Sequence, residues 1–354
     1  MTTMMASDEF LEKLGTNTSV DPCPNQPRLI IVHQGALGDL MLALPALDGL
    51  AHIIPKVHMD FWGRPELLAL LTTKPYLGRV LSCDGSELAP FSLDDCWTRA
   101  PVPAFLRDAA GLLIFGQEGS RIVADRLRQR LSYPVVWIRS FPDPTQQIAV
   151  GDFLVNQVRA AGWPIDFGLP TLEPPSEEVR LITNWFDNRG WIPDGAPVMI
   201  HPGSGGRSKI WPLQRWWHLV QWLLRDRGVP VLLVLGPADE VVRGLATSAE
   251  KAGALLITDV SLPRLAALIS RCRLFVGNDS GVTHLAAGLQ IPVIAVFGPT
   301  SPDVWGPPGK NVQIVQSHWE DSEAFAFHPD KATLGLEGPV QSAVERVLDH
   351  RSVP

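Results

Sequence analysis

The chain has 354 residues, of which 45% are hydrophobic and 19% are charged, a composition typical of a globular protein with enough residues for two domains. The formal net charge of −7 argues against a nucleic-acid-binding protein with a broad basic face, and no apolar run reaches the roughly 18 residues that span a bilayer. The four cysteines lack the spacing of a metal site, which predicts a reduced, cytoplasmic protein.

The first predicted elements are a strand, a turn and a helix. Residues 1–27 are rich in Thr, Ser, Asn, Pro and acidic side chains and lack the apolar core of a signal peptide, so we expect a disordered extension there. Residues 28–32 predict a buried strand, and residues 39–52 predict a helix in which Pro45 either causes a kink or marks a first-turn position. Asp39 therefore lies at a strand-to-helix turn, where it is either a helix cap or a carboxylate that takes a proton at the sheet edge.

Further short apolar runs follow this unit and alternate with predicted helices. The predicted strands cover residues 57–62, 79–81, 111–115 and 135–138. Strands that alternate with helices in this way indicate a parallel, doubly wound α/β sheet. The second half of the chain is expected to repeat the pattern, because a proline-rich linker between about residues 165 and 176 is followed by new strand and helix signals.

A cluster of arginines lies in the second part of the first predicted domain. The cluster consists of Arg121, Arg126, Arg128, Arg130 and Arg139. It forms either a solvated helix face or a basic platform for an anionic acceptor. Arg64, at the end of the second predicted strand, would join such a platform.

The second domain begins with a helix and a strand that ends in a glycine-rich loop. A helix is predicted over residues 176–189, and strands over 197–200, 229–235 and 254–257. The loop of residues 201–212 reads His-Pro-Gly-Ser-Gly-Gly-Arg-Ser-Lys-Ile-Trp-Pro. Glycines let backbone N–H groups approach a phosphate, and Lys209 would add a point charge, although a solvated loop lysine is the alternative. The spacing is not that of a Walker A loop.

The stretch of residues 276–288, Val-Gly-Asn-Asp-Ser-Gly-Val-Thr-His-Leu-Ala-Ala-Gly, predicts a strand, a tight turn and a helix. Such a turn presents free N–H groups and a positive helix end, which suit an anionic group. Asp279 and Ser280 can cap the helix, and capping alone is the alternative interpretation. His284 would lie one turn into the helix, on the rim of the same pocket. The next predicted strand, residues 291–297, also ends in polar and turn-forming residues, so we expect a ligand crevice at this edge.

An acidic side chain follows another strand of the second domain, where it could bind ribose hydroxyls. Both Asp239 and Glu240 occupy suitable positions. No strand is followed by the G-x-G-x-x-G fingerprint, however, which ranks a Rossmann oxidoreductase lowest among the candidate functions.

Three segments together resemble glycosyltransferase family 9, the ADP-heptose:lipopolysaccharide heptosyltransferases and their relatives. They are residues 38–47 (Gly-Asp-Leu-Met-Leu-Ala-Leu-Pro-Ala-Leu), the loop of residues 201–212, and residues 277–302. The resemblance implies an α/β protein with a GT-B fold, in which two Rossmann-like domains with parallel sheets face each other across a cleft. It implies an inverting, metal-independent transferase that uses a nucleotide sugar as co-substrate and needs no other cofactor.

The resemblance also assigns domains to the sequence. It implies an acceptor-binding domain over residues 28–172 and a nucleotide-sugar-binding domain over residues 173–336. Residues 337–354, which include an amphipathic pattern over 338–350, are expected to form a helix that packs back on the first domain.

The site residues follow from the same resemblance. Asp39 is implied as the general base that takes the proton of the acceptor hydroxyl. The implied donor-binding residues are Ser204, Lys209, Glu240, Asp279, Ser280, Gly281 and His284, with Glu240 on the ribose and Lys209 with the Ser280–Gly281 backbone on the diphosphate. The basic platform supplies Arg64 and Arg121 as acceptor-binding candidates.

The chain departs from the family pattern at three places. Ala43 and Gly205 stand where many relatives have a Thr and a second Ser or Thr, and residues 317–333 lack the cysteine common in the family tail. The donor sugar is therefore an open question, with ADP-heptose as the leading candidate. The acceptor is expected to be lipid-linked or an oligosaccharide, which would bring the protein to the cytoplasmic face of the inner membrane. A sugar-nucleotide epimerase and a non-catalytic nucleotide-sugar-binding protein are the alternatives.

Overall fold

The computed structural model describes residues 28–54, 56–189, 195–330 and 338–350. Within them the chain divides into two compact units, with the division between Pro170 and Thr171. The sequence predicts this boundary two residues later, after residue 172. The expected N-terminal extension over residues 1–27 and the expected boundary between residues 336 and 337 lie outside the described residues.

The first unit is built on a five-stranded sheet in the order β3-β2-β1-β4-β5. All neighbouring strands run parallel. The strands are β1 (Arg28–His33), β2 (His58–Gly63), β3 (Leu77–Ser82), β4 (Gly111–Gly116) and β5 (Val135–Arg139). The chain moves outward from β1 in one direction through β2 and β3, and in the other through β4 and β5. The carboxyl end of the β1–β4 pair is therefore the switch point at which ligands bind in sheets of this type.

Helices cover the first sheet on both faces. They are α1 (Leu37–Ile53), α2 (Pro65–Leu68), α3 (Glu118–Arg128) and α4 (Val150–Ala160). Helix α1 runs without interruption through Pro45, which lies in its middle and is buried, so the first-turn interpretation of this proline is wrong. The proline lacks an N–H group and removes one hydrogen bond of the helix, a loss that the burial of nine residues of α1 offsets.

The second unit is built on a six-stranded parallel sheet in the order β11-β10-β9-β6-β7-β8. Its strands are β6 (Val198–His201), β7 (Val231–Val234), β8 (Leu255–Ile257), β9 (Leu274–Asn278), β10 (Val293–Phe297) and β11 (Val312–Gln316). Strand β11 is not predicted from the sequence. It is a partly exposed edge strand in which Gln313 and Gln316 interrupt the apolar residues, so it lacks the continuous apolar run of the buried strands.

The helices of the second unit follow the alternation expected from the sequence. They are α5 (Ser176–Asp187), α6 (Leu213–Gln221), α7 (Arg243–Ala252), α8 (Leu262–Ser270), α9 (Gly281–Gly288), α10 (Pro302–Trp305), α11 (Asp321–Ala324) and α12 (Pro339–His350). The apolar faces of α6, α7 and α12 form one buried cluster with side chains of the sheet. In this sheet β6 and β9 are neighbours, and the chain order diverges on their two sides, so the switch point lies at their carboxyl ends.

Helix α12 corrects one expectation from the resemblance. It packs on β10 and β11 of the second unit instead of on the first domain. Val340, Ala343 and Val344 are buried in the core of the second unit, and Glu345 pairs with Arg227 at 3.1 Å. An amphipathic pattern predicts that a helix has a buried face but not which sheet that face covers, because both sheets offer apolar surface.

Most of the arginine cluster in the first unit is structural. Arg126 binds the Phe91 carbonyl and the Asp94 carboxylate, and Arg130 binds three backbone carbonyls at residues 97, 98 and 100. Arg128 binds the Val135 carbonyl with two nitrogens. These guanidinium groups therefore hold neighbouring chain segments and are not available as a platform for a ligand. Among the described residues, no helix combines the length and hydropathy that a membrane span requires.

Candidate functional site

The switch point of the second sheet gathers the segments that the sequence singled out. His201 ends β6 and leads into the loop of residues 202–212, while Asn278 ends β9 and leads into α9. The two strand ends are adjacent, with His201 opposite Gly277 in the register of the sheet. The glycine loop and the N-terminus of α9 therefore border the same edge of the sheet.

The buried side chain of Asn278 organises this edge, although the sequence does not single it out as a site residue. Its Nδ2 donates to the Pro202 carbonyl at 2.7 Å, and its Oδ1 accepts the Trp211 N–H at 3.0 Å. One amide thus fixes both ends of the glycine loop to β9. The motif contains Asn278, but only the tertiary structure shows that its amide satisfies backbone groups of a second segment.

Lys209 and Asp279 meet at the centre of the edge. The Lys209 Nζ lies 2.8 Å from Asp279 Oδ2, and the hydroxyl of Thr300 donates to the same oxygen at 2.7 Å. Asp279 is buried, while Lys209 is about one-third exposed, with 30% of its side-chain surface accessible. Lys209 also lies 5.9 Å from the centre of the Trp305 ring. A solvated loop lysine is therefore excluded, and Lys209 and Asp279, which the resemblance assigned to one site, are in direct contact.

The N-terminus of α9 supplies a second positive element beside this pair. Ser280 is the N-cap, and its hydroxyl oxygen accepts the Thr283 N–H. The cap occupies one of the unpaired N–H groups of the first turn, and the remaining ones are available to an anion. Gly281 is the first residue of α9 and adds no side chain at this position. A lysine and a helix N-terminus on one edge of the sheet form a site suited to a phosphate or diphosphate group.

The hydroxyl of Ser204 joins two segments of the site, and its assignment to donor binding stays a prediction. Its Oγ donates to the backbone carbonyl of Asp279 at 2.8 Å, so its single proton already has an acceptor. Ser204 therefore ties the glycine loop to the turn that precedes α9. Its contribution to donor binding would come through the position of the loop and not through a hydroxyl bond to the phosphate.

Asp239 and Glu240 lie in different environments. Asp239 is buried, and its Oδ2 accepts the Gly236 N–H at 2.6 Å and contacts His201 Nε2 at 3.1 Å. Its carboxylate lies so close to Gly203 that a Cβ there would be 1.8 Å from Oδ1, so the loop requires glycine at this position. Glu240 is exposed and pairs with Arg243 on its own helical turn. The assignment of the ribose contact to Glu240 stays a prediction, and its exposed carboxylate is free to rearrange.

His284 is buried on the first turns of α9, close to Lys209 and Asp279. Burial lowers the pKa of His284 to about 4, the negative charge of Asp279 opposes this shift and Lys209 favours it. A hydrogen bond to the backbone at Trp305 also favours the charged form but does not overcome burial. The imidazole is therefore neutral at physiological pH and adds a polar but uncharged group to the anion site.

This shift predicts a pH dependence of stability. Because the folded pKa lies below the unfolded value of 6.5, the unfolded state binds more protons between pH 6.5 and pH 4, and stability falls as the pH decreases through this window. We expect His284→Gln to remove about 2 kcal/mol of the difference in unfolding free energy between pH 7 and pH 5. Denaturant unfolding of both proteins at the two pH values measures it. Equal pH dependence in the two proteins would contradict the assignment.

In the first unit, Asp39 lies at the switch point of the sheet. It is the third residue of α1, and its Oδ2 accepts the N–H of Ala36, the N-cap residue, at 2.8 Å. Its other oxygen accepts no hydrogen bond from a described residue, and the side chain is partly exposed. The position beside this carboxylate requires glycine, because a Cβ at Gly35 would lie 2.7 Å from the Asp39 side chain. The carboxylate is thus fixed by one oxygen and open at the other.

His33, the last residue of β1, is the buried neighbour of Asp39. Burial lowers the pKa of His33, while the Asp39 carboxylate and backbone hydrogen bonds oppose the shift. A neutral imidazole therefore lies beside the Asp39 carboxylate. The sequence places His33 in the turn but does not indicate its burial.

The two predicted acceptor-binding arginines belong to the first unit and are both exposed. Arg64 is the N-cap of α2, directly after β2, and no described residue forms a hydrogen bond or ion pair with its guanidinium. Arg121 lies on α3, 3.7 Å from Glu118 and 3.9 Å from Asp125, with its guanidinium 5.5 Å from the Trp137 ring centre. Exposed pairs of this kind are weak, so Arg121 can exchange them for another anion.

No group of three or more His, Cys, Asp or Glu side chains suited to a metal ion occurs in the described part of the chain. The positive charge of the second-unit site comes from Lys209 and the start of α9.

Known proteins are similar to this chain over most of its length. The model of glycosyltransferase family 9 (heptosyltransferase) matches residues 186–330. Lipopolysaccharide heptosyltransferase 1 of Pseudomonas aeruginosa is 25% identical over 324 residues, which cover 80% of this chain and 82% of that protein. The structure of Escherichia coli ADP-heptose lipopolysaccharide heptosyltransferase II matches with a TM-score of 0.67 and 17% identity, over 92% of this chain and 100% of that chain. Escherichia coli heptosyltransferase WaaC with ADP matches with a TM-score of 0.60 and 19% identity, over 91% and 99%.

The two parallel sheets, each with its candidate residues at the switch point, have the GT-B fold of the solved heptosyltransferases. The α/β class predicted from the sequence is confirmed. The family model and the heptosyltransferase relatives indicate a glycosyltransferase similar to the heptosyltransferases of family 9.

Proposed function

We propose that the protein transfers a sugar, with heptose from ADP-heptose as the leading candidate, to a lipopolysaccharide-core or related glycan acceptor, with inversion at the anomeric carbon and without a metal ion. The observation that carries the proposal is the contact of Lys209 with Asp279 beside the start of α9, at the switch point of the second sheet. The names of the related proteins, which include heptosyltransferases solved with ADP and with ADP-2-deoxy-2-fluoro heptose, support the choice of donor.

The second unit would bind the nucleotide sugar. A diphosphate leaving group gains negative charge as its bond to the anomeric carbon breaks, and this charge must be stabilised. Lys209 would supply a full positive charge, and the first N–H groups of α9 would supply hydrogen bonds and the helix dipole. Asp279 and His284 would line the same pocket, and an acidic residue after β7 would bind the ribose. Together these groups would supply the stabilisation that a metal ion provides in other transferases.

The first unit would bind the acceptor and carry the base. In the proposed step the acceptor oxygen attacks the anomeric carbon, and its proton passes to the open oxygen of Asp39. The bond between the anomeric carbon and the diphosphate oxygen breaks, and ADP leaves with the electron pair. A single displacement of this kind inverts the anomeric configuration. Arg64 and Arg121, both exposed, would bind anionic groups of the acceptor. A lipid-linked acceptor would bring the protein to the inner membrane surface.

Calorimetric titration with ADP, UDP and GDP tests the donor assignment. The purified protein is titrated first in the presence of a chelator and then with magnesium. We expect ADP to bind more tightly than UDP and GDP, and its affinity to be the same with and without magnesium. A preference for UDP or GDP would contradict the ADP-sugar donor, and binding that requires magnesium would contradict metal independence.

Turnover distinguishes the transferase from an epimerase that has the same fold. A transferase releases ADP from ADP-heptose in proportion to the glycan acceptor supplied, while an epimerase changes the donor without any acceptor. Coupled detection of ADP release, with and without a heptose-deficient lipopolysaccharide acceptor, measures this difference. ADP-heptose consumption that is independent of the acceptor would contradict the transferase.

A further inference from the structure

A buried hydrogen-bond chain joins three loops of the second unit. His201 ends β6, Asp239 follows β7, and Ser280 follows β9. The His201 Nε2 lies 3.1 Å from Asp239 Oδ2, and its Nδ1 lies 3.3 Å from Ser280 Oγ. All three side chains are buried. This chain of hydrogen bonds therefore connects the ends of three neighbouring strands and reaches the N-cap of α9.

The direction of each hydrogen bond follows from the available protons. Burial by itself raises the pKa of Asp239, but the hydrogen bond and the electrostatic attraction of His201, with the hydrogen bond from the Gly236 N–H, outweigh it and leave that pKa below its ordinary value. Asp239 is therefore an ionised acceptor, and His201 Nε2 must carry the proton that binds it. In the tautomer that carries its proton on Nε2, Nδ1 is an acceptor, and Ser280 Oγ donates to it.

The remaining contacts of Ser280 agree with this direction. Thr283 Oγ1 lies 3.1 Å from Ser280 Oγ, but the Thr283 hydroxyl donates its proton to the Asn278 carbonyl. Thr283 also donates its backbone N–H to Ser280 Oγ. Ser280 thus accepts from the helix it caps and gives its own proton to His201. No hydroxyl proton of Ser280 is left for a ligand at the start of α9.

We propose that His201 is a positioning residue of the donor site: it joins the loop after β7 to the N-cap of α9 and takes the Ser280 hydroxyl proton. The anionic part of the donor then binds backbone N–H groups and Lys209, and the serine hydroxyls serve only to hold the loops. Ser204, whose proton goes to the Asp279 carbonyl, fits the same arrangement. This inference rests on the proposed function, because the ligand it positions is the diphosphate of the nucleotide sugar.

Three substitutions at His201 test its two hydrogen bonds separately, the one to Asp239 and the one to Ser280. His201→Asn keeps an acceptor near Ser280 but is too short for Asp239, while His201→Gln keeps a donor for Asp239 but has only carbon near Ser280. His201→Ala removes both hydrogen bonds. His218→Ala is the matched control, because His218 lies half-buried on α6 and outside the site.

Binding of ADP, AMP and adenosine is measured by calorimetry, with thermal unfolding of each variant as a check of folding. We expect His201→Ala, which removes both hydrogen bonds, to weaken ADP binding about 10-fold, or about 1.4 kcal/mol, and to leave adenosine binding within about 2-fold. The His201→Asn and His201→Gln variants should each bind ADP about 3-fold more weakly than the wild type. The KM for the nucleotide sugar should rise while kcat changes little, because Asp39 belongs to the other unit.

The outcomes distinguish this inference from the proposed function. Equal losses for ADP, AMP and adenosine, in proportion to the decrease in Tm, would overturn the positioning role and leave a structural one. ADP affinity in all three variants equal to that of the His218→Ala control would also overturn it. Failure of the wild-type protein to bind ADP would overturn the proposed function and this inference together. If His201→Ala does not fold, the Asn and Gln variants carry the same test.

Discussion

Asp39→Asn is expected to lower kcat by about 10²–10⁴-fold, the usual contribution of a general base. The substitution is informative because an asparagine oxygen can still accept the Ala36 N–H that Asp39 Oδ2 accepts at 2.8 Å. The start of α1 therefore keeps its hydrogen bond, and only the capacity to take a proton is lost. The rate of sugar transfer to the acceptor, measured at saturating donor, gives the size of the effect.

Asp48→Asn is the matched control for this experiment. Asp48 lies on the same helix, and its carboxylate binds Lys74 at 2.9 Å and the Tyr76 hydroxyl at 2.8 Å, so the same change of charge is made away from the switch point. We expect kcat of this control within about 3-fold of the wild type and ADP affinity unchanged in both variants. Retention of most of the activity by Asp39→Asn would remove it from the base role, and a large loss of ADP affinity would indicate a structural effect instead.

Lys209→Ala is expected to weaken ADP binding about 10²-fold without added metal. A charge-assisted bond to a diphosphate is worth about 2–3 kcal/mol, which corresponds to a factor of this size. The loss is enlarged because Asp279, deprived of its cation, becomes an unpaired carboxylate beside the bound diphosphate. Calorimetric titration with ADP in the presence of a chelator measures the change.

Two further variants show whether the loss comes from this site. Arg207→Ala removes another cation of the same loop, but its guanidinium lies 4.4 Å from the Phe325 ring centre and is not paired with Asp279, so we expect ADP affinity within about 2-fold of the wild type. The double variant Lys209→Ala with Asp279→Asn should recover part of the lost affinity, since it removes the unpaired charge. Unchanged ADP affinity in Lys209→Ala would exclude Lys209 from the diphosphate site.

His284, to which a pH dependence is assigned, and His201, to which a proton arrangement is assigned, belong to the same site of the second unit. Both imidazoles are buried. The positive character of the site comes from Lys209 and from backbone N–H groups at the start of α9. Substitutions at the two histidines are therefore expected to change stability or the position of loops more than the net charge of the site.

The sequence by itself determined the alternation of strands and helices in both units. Buried parallel strands such as β1 and β9 read as continuous apolar runs, because both of their faces are covered. The turn residues that follow these strands are local signals too, so Asp39, Lys209 and Asp279 are recognisable from their neighbours in the chain. Their placement at the two switch points follows from the order of the strands, which the sequence implied only through the resemblance.

Only the tertiary structure decided which distant groups share protons and which sheet each amphipathic face covers. The amide of Asn278 and the chain from Asp239 through His201 to Ser280 join residues between 38 and 79 positions apart, and no local pattern specifies such contacts. Helix α12 could cover either sheet, and Arg126 and Arg128 of α3 could bind either a ligand or the protein backbone; packing selected one partner for each. Sequence periodicity records the environment of a side chain, while the identity of its partner depends on how the whole chain folds.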